Sequence, residues 1–225
     1  MSSLKRLFDV AGACAGLAVF APVTALVALA VWVDDGRPVL FRQSRVGYRR
    51  RPFSILKFRS MRDGRVTRIG RMLRATGLDE IPQFINILRG DMSAVGPRPL
   101  TDSDVQRHGW GGPEIDFRWE TRPGLTGLAQ IVGAQSAEET LELDRGYSAG
   151  WNPILDCQLI ALSFAVNAFG KSAVQRFLQQ SRFFARQEFS TTKDTKRTKG
   201  NPTGATRDLE TPAGLAGRLW RRGDR

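Results

Sequence analysis

Residues 76–100 read TGLDEIPQFINILRGDMSAVGPRPL. The stretch sets two adjacent carboxylates, Asp79 and Glu80, at the start of a short helix and a proline-flanked arginine, Arg98, beyond its end. Ile81, Phe84, Ile85 and Leu88 recur at helical spacing, Pro82 fits a first turn, and Gly90 is a stop. The spacing thus predicts Asp79 at a helix N-terminus, where unpaired N–H groups favour an ionised carboxylate and lower its pKa. An Asp N-cap with no chemistry fits that pattern as well. Gly90–Leu100, with two X-Pro steps, reads as a stiff extended loop that holds Arg98, whose planar fork matches phosphate oxygens bidentately.

Upstream, the block from Arg37 to Arg74 carries thirteen Arg or Lys residues against one acid, Asp63. Pro38–Arg42 and Phe53–Phe58 read as two short strands joined across Gly47, with Lys57 and Arg59 at the far end. Val66–Ala75 reads as a helix with Val66, Ile69, Met72 and Leu73 on one side and Arg68, Arg71 and Arg74 on another. That arginine stripe suits either water or anionic lipid headgroups. Arg74 stands apart, because Gly77 ends the helix close enough to bring its guanidinium to Asp79.

Still earlier, Val10–Val33 runs without a charge, long enough to span a bilayer as one straight helix. Pro22, preceded by Ala21, predicts a break or sharp kink near its middle. Lys5 and Arg6 precede the run and a denser basic block follows it, so the positive-inside rule puts both ends on one side. A re-entrant helix–break–helix hairpin satisfies both observations, with a single span as the alternative; the run is too long for a cleaved signal peptide. Asp9 beside the run is read as pairing with Arg6 or a later arginine, or as solvated.

Downstream, Thr101–Glu120 reads as a polar irregular loop, and Arg122–Gln130 as a Pro-Gly turn entering a short apolar segment. Trp151–Gly170 reads as a core or interfacial helix. Phe177, Phe183, Phe184 and Phe189, interleaved with Arg176, Arg182 and Arg186, continue the interfacial character. From about Ser190 the composition shifts to Thr, Lys, Gly, Pro and Arg, which predicts disorder with at most a short helix near Leu215–Arg222.

The whole chain of 225 residues has net charge +12, so an anionic partner is expected: nucleic acid, membrane surface or phosphorylated substrate. Cys14 and Cys157 form neither a disulfide framework nor a zinc spacing. With His108 as the only histidine, chemistry that relies on histidine pairs, histidine metal clusters or a Ser-His-Asp triad is not expected.

Together, KRLFD from Lys5, Pro22, PVLFRQSRVG from Pro38, KFRSM from Lys57, LDEIPQ from Leu78, GDMSAVGPRPL from Gly90 and RPGLTGLAQ from Arg122 resemble the bacterial sugar transferases, the monotopic polyprenol-phosphate phosphoglycosyltransferases. The motifs follow that family's order over Leu4–Phe169. The resemblance implies an α+β, mainly α fold, membrane-associated, with an N-terminal re-entrant hairpin (1–36), a small cytoplasmic catalytic domain with interfacial amphipathic helices (37–189) and a basic tail (190–225). It implies an enzyme that transfers a phospho-sugar from a nucleotide-sugar, usually a UDP-sugar, to polyprenol phosphate, releases UMP and initiates membrane glycan assembly. It implies further that Asp79 is the nucleophile, that Glu80 helps hold Mg²⁺ or handles a proton, and that Lys57, Arg59, Arg74 and Arg98 bind phosphates. The implied location is the cytoplasmic face of a bacterial inner membrane.

The chain departs from the family pattern at Ala21, where many members have serine, and at Arg62–Gly64, where many have a longer insertion. Nothing multi-spanning precedes the motifs, which suggests the minimal form. A non-catalytic basic membrane adaptor would explain the charge and the apolar run but not Asp79-Glu80 beside Gly-Pro-Arg-Pro. Nucleic-acid binding would explain the charge but not the apolar run, and no stacking motif supports it.

Overall fold

Helix α1, Ser3–Asp35, is the longest element of the computed structural model, which describes residues 3–180. The readings of Arg182–Phe189 and of the tail lie outside the described residues. The buried positions of α1 are Lys5, Asp9, Ala13, Val27, Val31 and Asp35, steps of four at either end separated by about four turns, which draw one stripe down the helix. The opposite face, with Leu7, Val19, Leu26, Leu29 and Val33, is apolar and exposed. By length and composition α1 could cross a membrane.

Pro22 lies inside this helix, so the expected separation into two helices does not occur. A proline removes one N–H and crowds one carbonyl, a local cost. Packing on both sides of it keeps the helix going: Phe20 stacks on Phe84 with ring centroids 6.4 Å apart, and Val27 and Val31 join Phe58, Leu73 and Ile81 in a core cluster.

Strands β1 (Leu40–Val46) and β2 (Pro52–Phe58) pair antiparallel from Leu40–Phe58 to Val46–Pro52; the pairing is as predicted, but β1 starts two residues later than the expected Pro38–Arg42 and runs four residues beyond it. A two-residue turn, Asp63-Gly64 at positive φ, closes a small hairpin of β3 (Met61–Arg62) and β4 (Arg65–Val66). Helix α2, Arg68–Thr76, follows; Thr67 Oγ1 caps it by accepting from the Gly70 N–H at 2.9 Å, and Gly77 ends it at φ 71°.

After a 3₁₀ turn at Leu78–Glu80 comes α3, Gln83–Arg89, stopped by Gly90 at φ 89°. The guanidinium of Arg6 donates to the carbonyls of Ile87 (2.5 Å) and Leu88 (2.8 Å), and Arg122 donates to that of Gly90 (2.8 Å). Two arginines therefore cover the carbonyl end of α3, where cations are favoured.

Within the expected loop Gly90–Leu100, Ser93–Val95 forms β5, which pairs parallel with β6, Gly124–Thr126. Thr101–Glu120 is not an irregular loop either. It contains α4 (Asp102–Arg107), opened by a Thr101/Asp104 capping box, and α5 (Asp116–Trp119). Trp110, Ile115 and Trp119 pack with Val46 and Leu100 there, so burial of two tryptophans outweighs a polar composition.

The remaining elements are α6 (Leu128–Val132), α7 (Ala137–Ala149), α8 (Pro153–Phe169) and α9 (Lys171–Gln180). Among the described residues the fold is mainly helical with three two-stranded sheets.

The first turns of α1 are tied to this body by charge. Lys5 Nζ reaches Asp156 Oδ2 at 2.6 Å and Asp9 Oδ1 at 3.3 Å, while Ser93 Oγ and the Ala94 N–H donate to Asp9 at 2.9 and 3.0 Å. Asp9 is thus buried and paired with Lys5, neither solvated nor held by an arginine as the sequence suggested. A carboxylate removed from water needs a cation and donors around it, and Lys5, Ser93 and Ala94 supply them.

Candidate active site

Asp79 sits in the 3₁₀ turn between α2 and α3, one turn before α3 begins, so it does not cap that helix. Its residue is 7% exposed. Burial first, and then the neighbouring Glu80 carboxylate, push its pKa above the ordinary carboxylate range, against the pull of Lys57, a backbone hydrogen bond and Arg74. The expected lowering is therefore reversed. Asp79 is desolvated and lies beside a like charge, and both effects disfavour its ionised form.

Glu80 forms an ion pair with Lys57 from β2. The geometry behind that pair is set by Asn86 of α3, which is fully buried. Its Oδ1 accepts from the Leu56 N–H at 3.0 Å, and its Nδ2 donates to the Ser54 carbonyl at 2.8 Å. Asn86 thereby satisfies backbone groups of β2 on either side of Ile55 and locks α3 against the strand that carries Lys57.

Arg74, on the last turn of α2, donates from Nε to Ser60 Oγ at 3.2 Å and lies near enough for its charge to act on Asp79. Its residue is exposed, and the nearness of its charge to Asp79 is what its spacing from Gly77 suggested.

Arg98 is exposed between buried Pro97 and Pro99. Its loop is fastened along both edges: the Gly124 N–H donates to the Pro97 carbonyl at 2.9 Å, and the Val46 N–H to that of Leu100 at 2.8 Å. A Cβ on Gly96 would lie 2.3 Å from the carbonyl of Arg122, so only glycine lets the loop approach β6 this closely. From inside, Arg118 Nη2 donates to the Arg98 carbonyl at 2.7 Å, while its Nε pairs with Asp144 at 2.9 Å.

Arg45, at the end of β1, was not singled out from the sequence, although PVLFRQSRVG contains it. It donates to the Pro99 carbonyl at 3.2 Å and to Gln43 Oε1 at 2.6 Å. Burial and Arg98 lower its proton affinity while Asp104 and Glu80 raise it, so it is an electrostatic neighbour of both Arg98 and Glu80. Arg59, by contrast, is committed elsewhere. Its Nε lies 2.6 Å from Asp35 Oδ2 and its Nη2 donates to the Gly36 carbonyl at 3.0 Å, holding the end of α1.

The structure thus gathers Asp79, Glu80, Lys57, Arg74, Arg45 and Arg98, and assigns Arg59 to the α1 junction. One desolvated carboxylate, a partner carboxylate and several fixed cations suit a polyanionic substrate. Among the described residues no cluster of three or more His, Cys, Asp and Glu could hold a metal. Mg²⁺ commonly takes one or two carboxylates together with substrate phosphates, and Asp79-Glu80 fits that donor set.

A family model described as bacterial sugar transferase matches residues 1–170. The UDP-glucose:undecaprenyl-phosphate glucose-1-phosphate transferase of Caulobacter vibrioides is 46% identical over 155 residues, covering 63% of this chain and 58% of its own length. The UDP-N-acetylgalactosamine-undecaprenyl-phosphate N-acetylgalactosaminephosphotransferase of Aeromonas hydrophila is 38% identical, over 60% of this chain and 35% of its own. The chain spans between about a third and three fifths of such relatives. It spans 96% of the uncharacterized sugar transferase EpsL of Bacillus subtilis, which is 34% identical over 83% of this chain.

Proposed function

The chain belongs to the bacterial sugar transferase family, and on that premise we propose that it transfers a phospho-sugar from a UDP-sugar to undecaprenyl phosphate, releasing UMP. The single observation that carries this reading is the desolvated Asp79 carboxylate beside the Glu80–Lys57 pair, with Arg45 and Arg98 as charged neighbours. Relatives named for glucose and N-acetylgalactosamine transfer support the donor and acceptor classes.

The first step forms a bond from an Asp79 carboxylate oxygen to the sugar-bearing phosphorus and breaks the phosphoanhydride bond, so that UMP leaves with the electron pair. The second forms a bond from a phosphate oxygen of undecaprenyl phosphate to the same phosphorus, returning Asp79 as a carboxylate. Splitting the transfer lets one site serve a soluble donor and a lipid acceptor in turn. Desolvation keeps the Asp79 oxygens free of a water shell, while Arg98 and Arg45 take phosphate oxygens and Lys57 balances Glu80. Asp79 and Glu80 are the residues that would hold Mg²⁺, which when bound neutralises diphosphate charge.

Membrane attachment through α1, from the cytoplasmic face of the inner membrane, is part of this reading, and the course of its ends supports it. Lys5 and Asp9 are bonded to Asp156 and Ser93, and Asp35 to Arg59, so both ends are fastened to the same body. Ends held by one body lie on one side of the membrane in this reading, and the exposed apolar faces of α1 and α8 meet lipid. Such a protein catalyses the first membrane-committed step of glycan assembly.

The test is UMP release by the solubilised full chain given undecaprenyl phosphate, Mg²⁺ and a panel of UDP-sugars. Release with at least one sugar, lost in Asp79→Asn, is expected. Folded protein that releases none would favour the adaptor reading.

A further inference from the structure

Where the charge-free run of α1 stops at Val33, the next elements in space are the β3–β4 hairpin and the start of α2. The Ile69 N–H donates to Asp34 Oδ2 at 3.2 Å, and Arg62 pairs with Asp35 at 3.2 Å. On α2, Gly70 and Leu73 are buried, which turns Arg68, Arg71 and Met72 outward together. The hairpin adds exposed Arg65, Met61 and Val66.

Among the described residues the side chains of Arg65, Arg68 and Arg71 have no hydrogen bond or ion pair, unlike those of Arg59, Arg62 and Arg74. Asp63 is the one acid of the hairpin, and its carboxylate is 93% exposed. The surface is therefore three unpaired guanidiniums interleaved with three apolar side chains. It continues the unpartnered apolar face of α1 at the level where hydrocarbon must give way to headgroups.

We infer that this surface is an anionic-lipid collar: Arg65, Arg68 and Arg71 bind the phosphate groups of acidic phospholipids while Met61, Val66 and Met72 settle between the headgroups. The inference rests on membrane attachment through α1 and names the lipid class that the globular part requires. Water alone explains arginines but not the apolar residues among them. A purely apolar contact does not explain three unpaired cations. Because Gly77 and Asp79 follow α2 directly, lipid bound to its outward face fixes the height of Asp79 above the bilayer.

The test places an environment-sensitive fluorophore on the full chain in nanodiscs, at Met72→Cys or, as the α1 control, Val19→Cys, with Cys14 and Cys157 changed to serine. Nanodiscs contain phosphatidylcholine alone or with about a third phosphatidylglycerol. The Met72 probe is expected to be quenched by headgroup-labelled lipid only in the acidic discs. High salt, or Arg65→Gln/Arg68→Gln/Arg71→Gln, abolishes this, each arginine being worth about fivefold in local affinity. The Val19 probe stays lipid-exposed throughout. A Met72 probe in water in acidic discs, with Val19 in lipid, overturns the collar and leaves the α1 attachment standing. A Met72 probe buried equally in both discs and insensitive to salt overturns it in favour of an apolar contact or a second copy. A Val19 probe in water overturns both.

Discussion

The buried guanidinium of Arg118 donates to the backbone carbonyl of Arg98 across 2.7 Å, so one arginine, neutralised by Asp144, aims another that is exposed. Arg118 is 2% exposed and lies over the rings of Trp110 and Trp119 at 5.0 and 5.1 Å. Burial lowers its proton affinity and raises that of Asp144, and their pairing opposes both shifts. Arg118→Met leaves Asp144 buried without its cation and is predicted to cost about 3–5 kcal/mol in denaturant unfolding. Adding Asp144→Leu restores most of that stability. The double variant still loses about tenfold in kcat/KM, because the Arg98 carbonyl has lost its donor; full activity would show that the prolines alone set the loop.

Asp79 strains the fold that it serves. Its folded pKa lies above the unfolded value of about 3.9, so the folded state binds the extra proton. The stability this gives is fully present below the unfolded pKa and is lost as pH rises through the folded pKa. Asp79→Asn is predicted to lack that pH dependence and to raise the melting temperature near neutrality by about 2–4 °C, equivalent to ~1 kcal/mol, while abolishing turnover. Melting curves of both proteins across pH decide it; a destabilised Asn variant contradicts the account.

Neighbouring charges move the acid limb of activity in opposite directions. Lys57→Met removes the largest charge that lowers the Asp79 pKa, so the limb of kcat/KM moves to higher pH. Arg74→Gln moves it the same way by less, and Glu80→Gln moves it to lower pH. Three profiles that shift together, or none that shifts, rule out Asp79 as the titrating group.

Both ends of α1 face the cytoplasm in this account. With Cys14 and Cys157 replaced by serine, single cysteines at Ser3 and Arg49 are predicted to react with an impermeant reagent in inverted vesicles and to be protected in intact spheroplasts. Labelling of the Ser3 position from outside would mean a span.

Local rules carry far in this chain and stop where partners are distant. Apolar runs and turn chemistry found the β1–β2 pair, though not that β1 continues past Arg42 to Val46; Gly77 and Gly90 marked helix ends, and two X-Pro steps marked a stiff segment around Arg98. The direction of the Asp79 pKa was not legible, because it depends on burial by packed elements as well as on Glu80 beside it. Lys5, four residues before Asp9, was within local reach as its cation, but the burial that fixes the pair comes from Ser93, Ala94 and Asp156, far away in sequence. Arg45 and Arg59 are chemically equal in the basic block. Only the fold sends one to the Pro99 carbonyl and the other to Asp35. Helix continuity through Pro22 likewise rests on tertiary contacts of Phe20, Val27 and Val31 that no local propensity contains.

The most direct test of the central claim is to mix the full chain with a UDP-sugar that carries its radiolabel in the sugar-bearing phosphate, withhold the lipid acceptor, and measure label on the protein against UMP released. The account predicts about one equivalent of each per active chain, with the label on the peptide containing Asp79, discharged by added undecaprenyl phosphate and absent from Asp79→Asn. Unlabelled protein that forms product only when both substrates are present, or label that persists in Asp79→Asn, would contradict it.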